Sequence, residues 1–159
     1  MSDKKIKLEN INDTDFKQYI SYSIKNYAEE KVKAGNWNKE EAILLAKNEF
    51  NTLLPDGMDT KGHSIFSISD LYKKKRVGVL WVEWNNLNMK SAYIWDILIF
   101  DEFRRMGYGM RAMNELMCLA KEHGAKSITL HVFAHNESAI LFYKKLGFYS
   151  TNIIMKKDL

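Results

Sequence analysis

The residues with the clearest chemical pattern are two glycines and three arginines, which separate an apolar run from a helical pattern. They are Arg104, Arg105, Gly107, Gly109 and Arg111, and the apolar run covers residues 93–100. Glycine at a strand-to-helix junction lets the backbone approach a ligand closely. The N-terminus of the following helix offers N–H groups without intrahelical acceptors and a partial positive charge. Because such helix ends bind phosphate, the pattern predicts a site for a phosphorylated cofactor.

This segment matches two different phosphate-binding patterns. Residues 107–112 (GYGMRA) fit the dinucleotide fingerprint G-x-G-x-x-G/A, which also needs an acidic residue at the end of the next strand. The next predicted strand, residues 127–133, ends without Asp or Glu, and only 50 residues follow Gly109. A Walker A loop is excluded because the chain contains no G-K-[ST] sequence.

The other pattern is R-x-x-G-x-G at residues 104–109, and a second motif follows it. N-x-x-A-x-x-x-Y-x-x-x-G-F is filled at every position by Asn136, Ala139, Tyr143, Gly147 and Phe148. With both motifs in this order, the chain resembles the GNAT superfamily of acetyl-CoA-dependent N-acetyltransferases over roughly residues 76–159. It also resembles a group of bacterial GNAT proteins that share the stretches YAEEKVKAGNW and HVFAHN.

The resemblance implies how coenzyme A would bind. The amides of its pantetheine arm would pair with the backbone of the strand before the glycines, and its pyrophosphate would meet backbone N–H groups of residues 105–110. Asn136 would bind the arm or fix the loop, or serve only as a helix cap. The residues that the resemblance assigns to acetyl-CoA are Ile97, Leu98, Ile99, Arg104, Arg105, Met106, Gly107, Tyr108, Gly109, Met110, Asn136, Ala139, Phe142 and Tyr143. No metal is expected.

Acetyl transfer from a thioester to an amine sets three chemical tasks. The amine must lose a proton, the oxyanion must be stabilised, and the thiolate must be protonated. By resemblance, Tyr143 lies near the cofactor sulfur, and a phenol with a pKa of about 10 suits a departing thiolate. The alternative is that Tyr143 only packs its helix. No acyl-enzyme is needed, so we expect Cys118 to be a buried apolar side chain.

The general base has several candidates. Asp96 and Glu83 are carboxylates on predicted central strands, where an isolated charge is costly. His131 lies on the strand that would flank the cofactor arm, and His135 precedes Asn136. A water chain to solvent is a further alternative. We rank Asp96 first, followed by His131 and Glu83.

The fold that must position these residues is predicted as α/β (α+β). We expect one domain over residues 1–159, with a mixed, mostly antiparallel sheet of six or seven strands and helices on both faces. Two helices within residues 13–54 would shape the acceptor side, and residues 76–159 would form the cofactor core. The cofactor would enter between diverging strands at residues 92–100 and 127–133.

Periodicity and turn residues give the element boundaries. An edge strand is expected within residues 1–12, and strands at residues 63–70, 77–84 and 148–157. Strict alternation would place Val77, Val79, Trp81 and Glu83 on one face. Asp13 or Thr14 would cap the first helix and Asn38 the second. NNLN at residues 85–88 predicts a turn.

Composition restricts the partners and the location. The net charge of +4 suits a phosphorylated cofactor but does not argue for nucleic acid. A single cysteine excludes an internal disulfide. The chain has no apolar run of 18 residues, and its polar start does not resemble a signal peptide, so we expect a cytoplasmic protein without membrane contact. Homodimers are common among similar proteins.

The predicted function is acetyl transfer from acetyl-CoA to a primary amine. The acceptor is left open between a small-molecule amine and a protein N-terminus or lysine. An aromatic wall drawn from Trp37, Trp81, Trp84 and Trp95 would be compatible with a small cationic amine. The alternatives are a non-catalytic acyl-CoA sensor or interaction module on the same fold and, with less support, a nicotinamide oxidoreductase.

Overall fold

The described chain alternates strands and helices around one sheet. A computed structural model describes residues 5–84 and 90–159. The elements are β1 (Ile6–Asn10), α1 (Asp13–Lys33), α2 (Ala42–Leu53), β2 (His63–Asp70), β3 (Lys75–Trp84), β4 (Ser91–Ile99), α3 (Tyr108–Glu122), β5 (Ser127–Leu130) and α4 (Glu137–Lys145). Short 3-10 turns lie at Gly57–Asp59 and Asp101–Phe103. The predicted turn at residues 85–88 and the start of the predicted first strand, residues 1–4, lie outside the described residues.

The sheet is mixed and mostly antiparallel. Its order is β1-β2-β3-β4-β5, and β5 alone runs parallel to its neighbour, which is β4. The fold class is therefore confirmed, although the described residues form five strands rather than six or seven. The predicted last strand at residues 148–157 is wrong. Phe148 packs against the cluster under α3 and α4, but the apolar side chains after it are exposed, with Tyr149 at 84% and Ile154 at 96%.

Two apolar clusters cover the two faces of the sheet, so the prediction of helices on both faces is confirmed. One face packs against α3 and α4, with Leu80, Ile94, Met113 and Leu116 fully buried at its centre. The other face packs against α1 and α2 through Tyr19, Phe50, Leu54, Ile65, Val79 and Trp81. Alanines at positions 28, 42 and 46 lie between α1 and α2, where small side chains let the helices approach closely.

The helix starts differ from the predicted caps. Asn12, rather than Asp13 or Thr14, caps α1, and its Oδ1 accepts a hydrogen bond from the Asp15 N–H at 2.8 Å. The acidic residues after this cap lie in the first turn, where the helix dipole favours negative charge. Helix α2 begins at Ala42 after Glu41, not after Asn38, because residues 39–41 form a turn first. Cys118 is exposed rather than buried, because it faces away from the side of α3 that packs on the sheet.

A β-bulge interrupts the pairing of β3 with β4. Trp81 pairs with Asp96 and Val82 with Ile94, so Trp95 is an extra residue on β4. The parallel pairing of β4 with β5 ends at the same place, with Ile94 opposite Leu130. Residues 131–133 therefore leave the sheet, and β5 is shorter than predicted. Bulges re-aim side chains and often lie next to functional sites.

A second bulge lies between β2 and β3. Ile68 pairs with Gly78 and Ser69 with Arg76, which leaves Val77 without a partner. Val77 consequently packs in the cluster under α3 and not beside Val79 and Trp81, so the predicted alternation is wrong at this residue. Next to the bulge, a Cβ on Gly78 would overlap the Leu98 carbonyl oxygen and lie 3.2 Å from the Ile68 side chain.

We expect Gly78→Ala to lower the free energy of unfolding by about 3 kcal/mol, because the methyl group forces β3 away from β4. Gly124→Ala is the matched control: its Cβ meets nothing within 4 Å, but its φ of +79° makes a side chain costly by about 1 kcal/mol. Urea denaturation of both variants measures the difference. Equal losses in the two variants would contradict the assigned close approach.

Candidate active site

A cleft of about 590 Å³ opens where β4 and β5 diverge. Its walls come from α1, α2, the middle of β4, the segment after β5 and the start of α4. The lining residues are Tyr22, Ser23, Asn26, Tyr27, Glu30, Lys31, Glu49, Phe50, Leu53, Trp81, Tyr93, Ile94, Trp95, Asp96, Ile97, Leu98, Arg104, Leu130, His131, Val132, Phe133, Asn136, Ala139 and Tyr143.

One wall of the cleft is a strand edge. Beyond Ile94, β5 does not pair with β4, and residues 95–98 line the cleft together with His131 and Phe133. An unpaired strand edge is a template for an extended ligand that carries amides. The side chains of Ile97 and Ile99 pack into the cluster under α3, and that of Leu98 packs into the opposite cluster. These side chains are partly buried by that packing, so the backbone is the polar part of this segment that a ligand can pair with.

The glycine segment forms a tight turn before α3. Arg105 has a φ of 60° and Gly107, the N-cap of α3, a φ of 81°. Left-handed residues in sequence with helical ones turn successive N–H groups toward one side, which makes an anion site. The Arg104 side chain donates to the Ile99 carbonyl oxygen at 3.1 Å and pairs with Asp101 at 2.9 Å. The turn is thereby tied to the end of β4.

The remaining residues assigned to the cofactor lie around this turn. A Cβ on Gly109 would lie 3.3 Å from the Phe142 ring, so the glycine lets α4 approach α3. Tyr108 is buried and its hydroxyl donates to Asp70 at 2.6 Å, which fixes the start of α3 to the sheet. Met106 is 38% exposed, and Met110 is partly buried in the first turn of α3.

Asn136 is the N-cap of α4. Its Oδ1 accepts a hydrogen bond from the Ala139 N–H at 3.3 Å, and both residues line the cleft. The helix-cap alternative is therefore what the structure shows, and the same residue also faces the cleft. One helical turn after Ala139, Tyr143 presents its side chain to the same space.

Asp96 and Tyr143 both line the cleft, and the pKa values of both are raised. Burial raises the pKa of the Asp96 carboxyl to about 6, while hydrogen bonds from Tyr19 and the Ile97 N–H limit the rise. The Tyr19 hydroxyl donates to Asp96 Oδ2 at 2.8 Å. Burial and the nearby Asp96 charge raise the pKa of Tyr143 to about 12. A carboxylate and a phenol thus share the space beside the open strand edge.

The two other predicted bases occupy different positions. His131 lines the cleft, and burial together with the Lys31 charge lowers its pKa. Glu83 does not line the cleft. Its carboxylate accepts a hydrogen bond from Trp95 Nε1 at 3.0 Å. His135, which also precedes the motif asparagine, contacts Glu30 of α1 at 2.5 Å.

The side of the cleft formed by α1 and α2 holds Tyr27 and Glu49, which no motif in the sequence marks as site residues. Tyr27 donates to Glu49 Oε2 at 2.7 Å, and its ring contacts Phe50 and Phe133. Spacing gave one usable signal, because residues 19, 23 and 27 lie on one helix face. Of the four predicted wall tryptophans, only Trp81 and Trp95 line the cleft. Trp37 packs on Tyr27 beside it, and Trp84 stacks on His123 at 4.1 Å.

Sequence comparison decides the family. The Acetyltransferase (GNAT) family matches residues 23–148 of this chain. The chain belongs to the GNAT acetyltransferase family. Among its GNAT relatives, the uncharacterised N-acetyltransferase YycN of Bacillus subtilis (strain 168) is 40% identical over 91% of this chain and 93% of its own length. The uncharacterised N-acetyltransferase YdgE of the same strain is 33% identical over 96% of this chain and 97% of its own length.

A solved structure agrees with this assignment. The crystal structure of the putative acetyltransferase YycN from Bacillus subtilis superposes on this GNAT chain with a TM-score of 0.92 and 38% identity, covering 98% of this chain and 99% of that one. Within the described ranges, no group of three or more His, Cys, Asp and Glu side chains could hold a metal ion. None of the helices described in residues 5–84 and 90–159 is long and apolar enough to cross a membrane.

The raised pKa of Asp96 predicts a pH-dependent cost to folding. In the unfolded chain this carboxyl ionises near its ordinary pKa of 3.8, but in the folded chain only near 6. Between these pH values the folded state holds the Asp96 proton more tightly than the unfolded state does. The contribution of this proton to the free energy of unfolding is therefore fully present below pH 4 and is lost as the pH rises through 6. Asn at this position cannot ionise, and its amide oxygen still accepts from Tyr19.

We therefore expect Asp96→Asn to raise the free energy of unfolding at pH 8 by about 1–2 kcal/mol, with the gain shrinking toward pH 4. Denaturation curves at several pH values measure it. Asp158→Asn, which neutralises a carboxylate whose side chain is 87% exposed, should show no such trend. A variant less stable than wild type at pH 8 would contradict the assigned burial.

Proposed function

We propose that this GNAT protein transfers an acetyl group from acetyl-CoA directly to a primary amine. One observation carries the proposal: a buried carboxylate of raised pKa and a tyrosine face the same cleft beside an unpaired strand edge. The membership of the chain in an acetyltransferase family supports the same reaction. The acceptor is a small-molecule amine or a protein N-terminus or lysine. We infer a cytoplasmic location, with neither nucleic acid nor membrane as partner.

The residues around the cleft fit coenzyme A. The backbone of residues 97–99 would pair with the amides of the pantetheine arm, which is supported by the lack of β5 pairing beyond Ile94, and Asn136 would bind the same arm. The turn with left-handed Arg105 and Gly107 is suited to the pyrophosphate, because it combines N–H groups, the α3 dipole and nearby arginines. When bound, the cofactor supplies the acetyl thioester. The resemblance assigned these residues, and six of them line the cleft, which supports the assignment: Ile97, Leu98, Arg104, Asn136, Ala139 and Tyr143.

Tyr143 is the proposed general acid. Its raised pKa keeps the phenol protonated at neutral pH, so that it can give a proton to the departing thiolate sulfur. The Asp96 charge, which contributes to this rise, discourages formation of a second anion nearby. The carbon–nitrogen bond forms as the carbon–sulfur bond breaks, and the sulfur leaves as a thiol.

Asp96 is the proposed general base. A carboxylate whose pKa is about 6 is ionised at neutral pH, so it can accept a proton from the bound ammonium before attack or from the amine as its nitrogen attacks. Tyr19 holds the carboxylate in place through one oxygen. His131 is the second candidate, because its lowered pKa leaves it neutral near pH 7 and it lines the same cleft.

We expect Tyr143→Phe to lower kcat by about a hundredfold or more, because the phenol proton is lost while the ring still fills its space. The measurement is acetyl-CoA turnover, followed by free-thiol release, against a panel of amines and peptide N-termini. Tyr72→Phe is the control, since Tyr72 is 87% exposed and lies in a remote turn.

The same assay separates the rival functions. Coenzyme A binding in calorimetry without turnover on any acceptor would favour the non-catalytic sensor. Absence of coenzyme A binding would overturn the proposed function itself.

The pH profile identifies the base. For wild type we expect kcat/KM to rise with pH through about 6 and then level off, because Asp96 must lose its proton before it can accept one. Asp96→Asn should remove this rise and lower kcat/KM by about a hundredfold, whereas His131→Asn should keep the rise. The opposite result for the two variants would transfer the role to His131. Rates between pH 5 and 9 at saturating acetyl-CoA test it.

A further inference from the structure

One face of α1 carries a row of three hydroxyl groups, of which those of Ser23 and Tyr27 belong to residues that line the cleft and that of Tyr19 lies buried beside it. Tyr19, Ser23 and Tyr27 follow one another at intervals of four residues, so they lie on the same side of the helix. The first and last of them each donate to a carboxylate: Tyr19 to Asp96 at 2.8 Å, and Tyr27 to Glu49 at 2.7 Å. Eight residues of α-helix span about 12 Å, so the row holds two carboxylates at well-separated points of the cleft.

Neither of these carboxylates has a cationic partner among the described residues. Glu30, the third carboxylate of the cleft, is different, because it pairs with His135. Asp96 and Glu49 are both partly buried, and each accepts a hydrogen bond from a tyrosine instead. A partly buried carboxylate without a counter-ion is costly, and this one chain carries a net charge of +4. The missing counter-ions indicate a cationic ligand.

The aromatic rings that line the cleft are also suited to a cation. Trp81 stacks on Trp95 at 5.6 Å, and Phe50 lies 5.6 Å from Trp81 and 5.9 Å from Tyr27. Lys31 Nζ lies over the Tyr27 ring at 5.4 Å, which shows that an ammonium group is accommodated at this end of the cleft. Lys31 itself forms no ion pair with Glu49.

The middle of the row offers a second, independent observation. Ser23 is 5% exposed and lines the cleft, yet its Oγ makes no hydrogen bond of good geometry. The Tyr19 phenol lies near enough for the Ser23 hydroxyl to limit the rise in its pKa, but this contact does not have hydrogen-bond geometry. A buried hydroxyl without a partner costs free energy unless a ligand supplies one. It stands one helical turn from each of the two tyrosines that hold the carboxylates.

We propose that the acceptor is a linear amine with two positive charges, an α,ω-diamine or polyamine, and that Glu49 binds the charge that does not react. The reacting amine lies between Asp96 and Tyr143, and the chain between the two terminal nitrogens follows the aromatic rings. In a polyamine, an inner nitrogen is the hydrogen-bond partner of the Ser23 hydroxyl. This inference rests on the proposed acetyl transfer, since it names the substrate class of that same site. Glu49 is then a specificity-determining residue, held by Tyr27.

The test compares diamines of four to eight carbons with n-alkylamines of the same length. Chain length is thereby matched, and only the distal charge differs. For wild type we expect kcat/KM to favour the best diamine over its matched monoamine by about tenfold or more. Glu49→Gln, which keeps an oxygen acceptor for Tyr27, should reduce this ratio to about one. Glu29→Gln removes an exposed carboxylate of α1 outside the cleft and should leave the ratio unchanged.

Each outcome supports or overturns the proposal. Equal use of both amines by wild type, or a preference that survives in Glu49→Gln, overturns it. If no amine is acetylated at all, the proposed transfer fails separately, and calorimetric titration of 1,8-diaminooctane and n-octylamine into the coenzyme A-saturated protein decides. If wild type binds the diamine tenfold more tightly than the monoamine, and Glu49→Gln loses this difference, the result would support the two-charge site even though no acetyl transfer was observed. Equal binding, or none, would overturn it.

Discussion

The extra residue at Trp95 is the constraint on which the arrangement of the cleft depends. Because Val82 pairs with Ile94 and Trp81 with Asp96, β4 has a bulge in the middle of the sheet, and bulges bend a strand locally. The pairing of β4 with β5 stops at the same residue, so the strand edge beyond it opens into the cleft. The bulge also places the Trp95 ring against Trp81 and puts Asp96 within reach of Tyr19. One inserted residue thus produces the opening, part of its aromatic lining and its carboxylate.

The strand after the bulge also joins the two halves of the molecule. Ile97 and Ile99 belong to the cluster under α3 and α4, next to the turn at Gly107, while Leu98 belongs to the cluster under α1 and α2. The proposed cofactor side and the proposed acceptor side therefore share one backbone. Gly78 matters for the same reason, since the carbonyl oxygen that approaches it belongs to Leu98. A shift of β4 would move both sides of the cleft together.

Local signals in the sequence were sufficient for some parts of the site and not for others. The turn at Gly107 and the cap at Asn136 depend on residues within one turn of each other, so their spacing alone predicted them. The bulge at Trp95 depends on how β3 aligns with β4, and strict alternation could not reveal it. The hydrogen bond from Tyr27 to Glu49 joins two helices, and neither residue carries a pattern that names the other. The motifs therefore predicted the turn and the helix cap on the proposed cofactor side, whereas the contacts on the proposed acceptor side depend on how the helices pack.

The open edge of β4 has a consequence for how the protein behaves among other copies of itself. Exposed strand edges normally recruit further strands, and proteins protect them with charges, prolines or short length. Here the free edge lies inside a cleft, walled by α1 on one side and by the segment after β5 on the other. A slender extended ligand can reach it, but a strand that is already part of another folded sheet cannot. The walls of the cleft therefore hinder this unpaired edge of β4 from pairing with a strand of another copy.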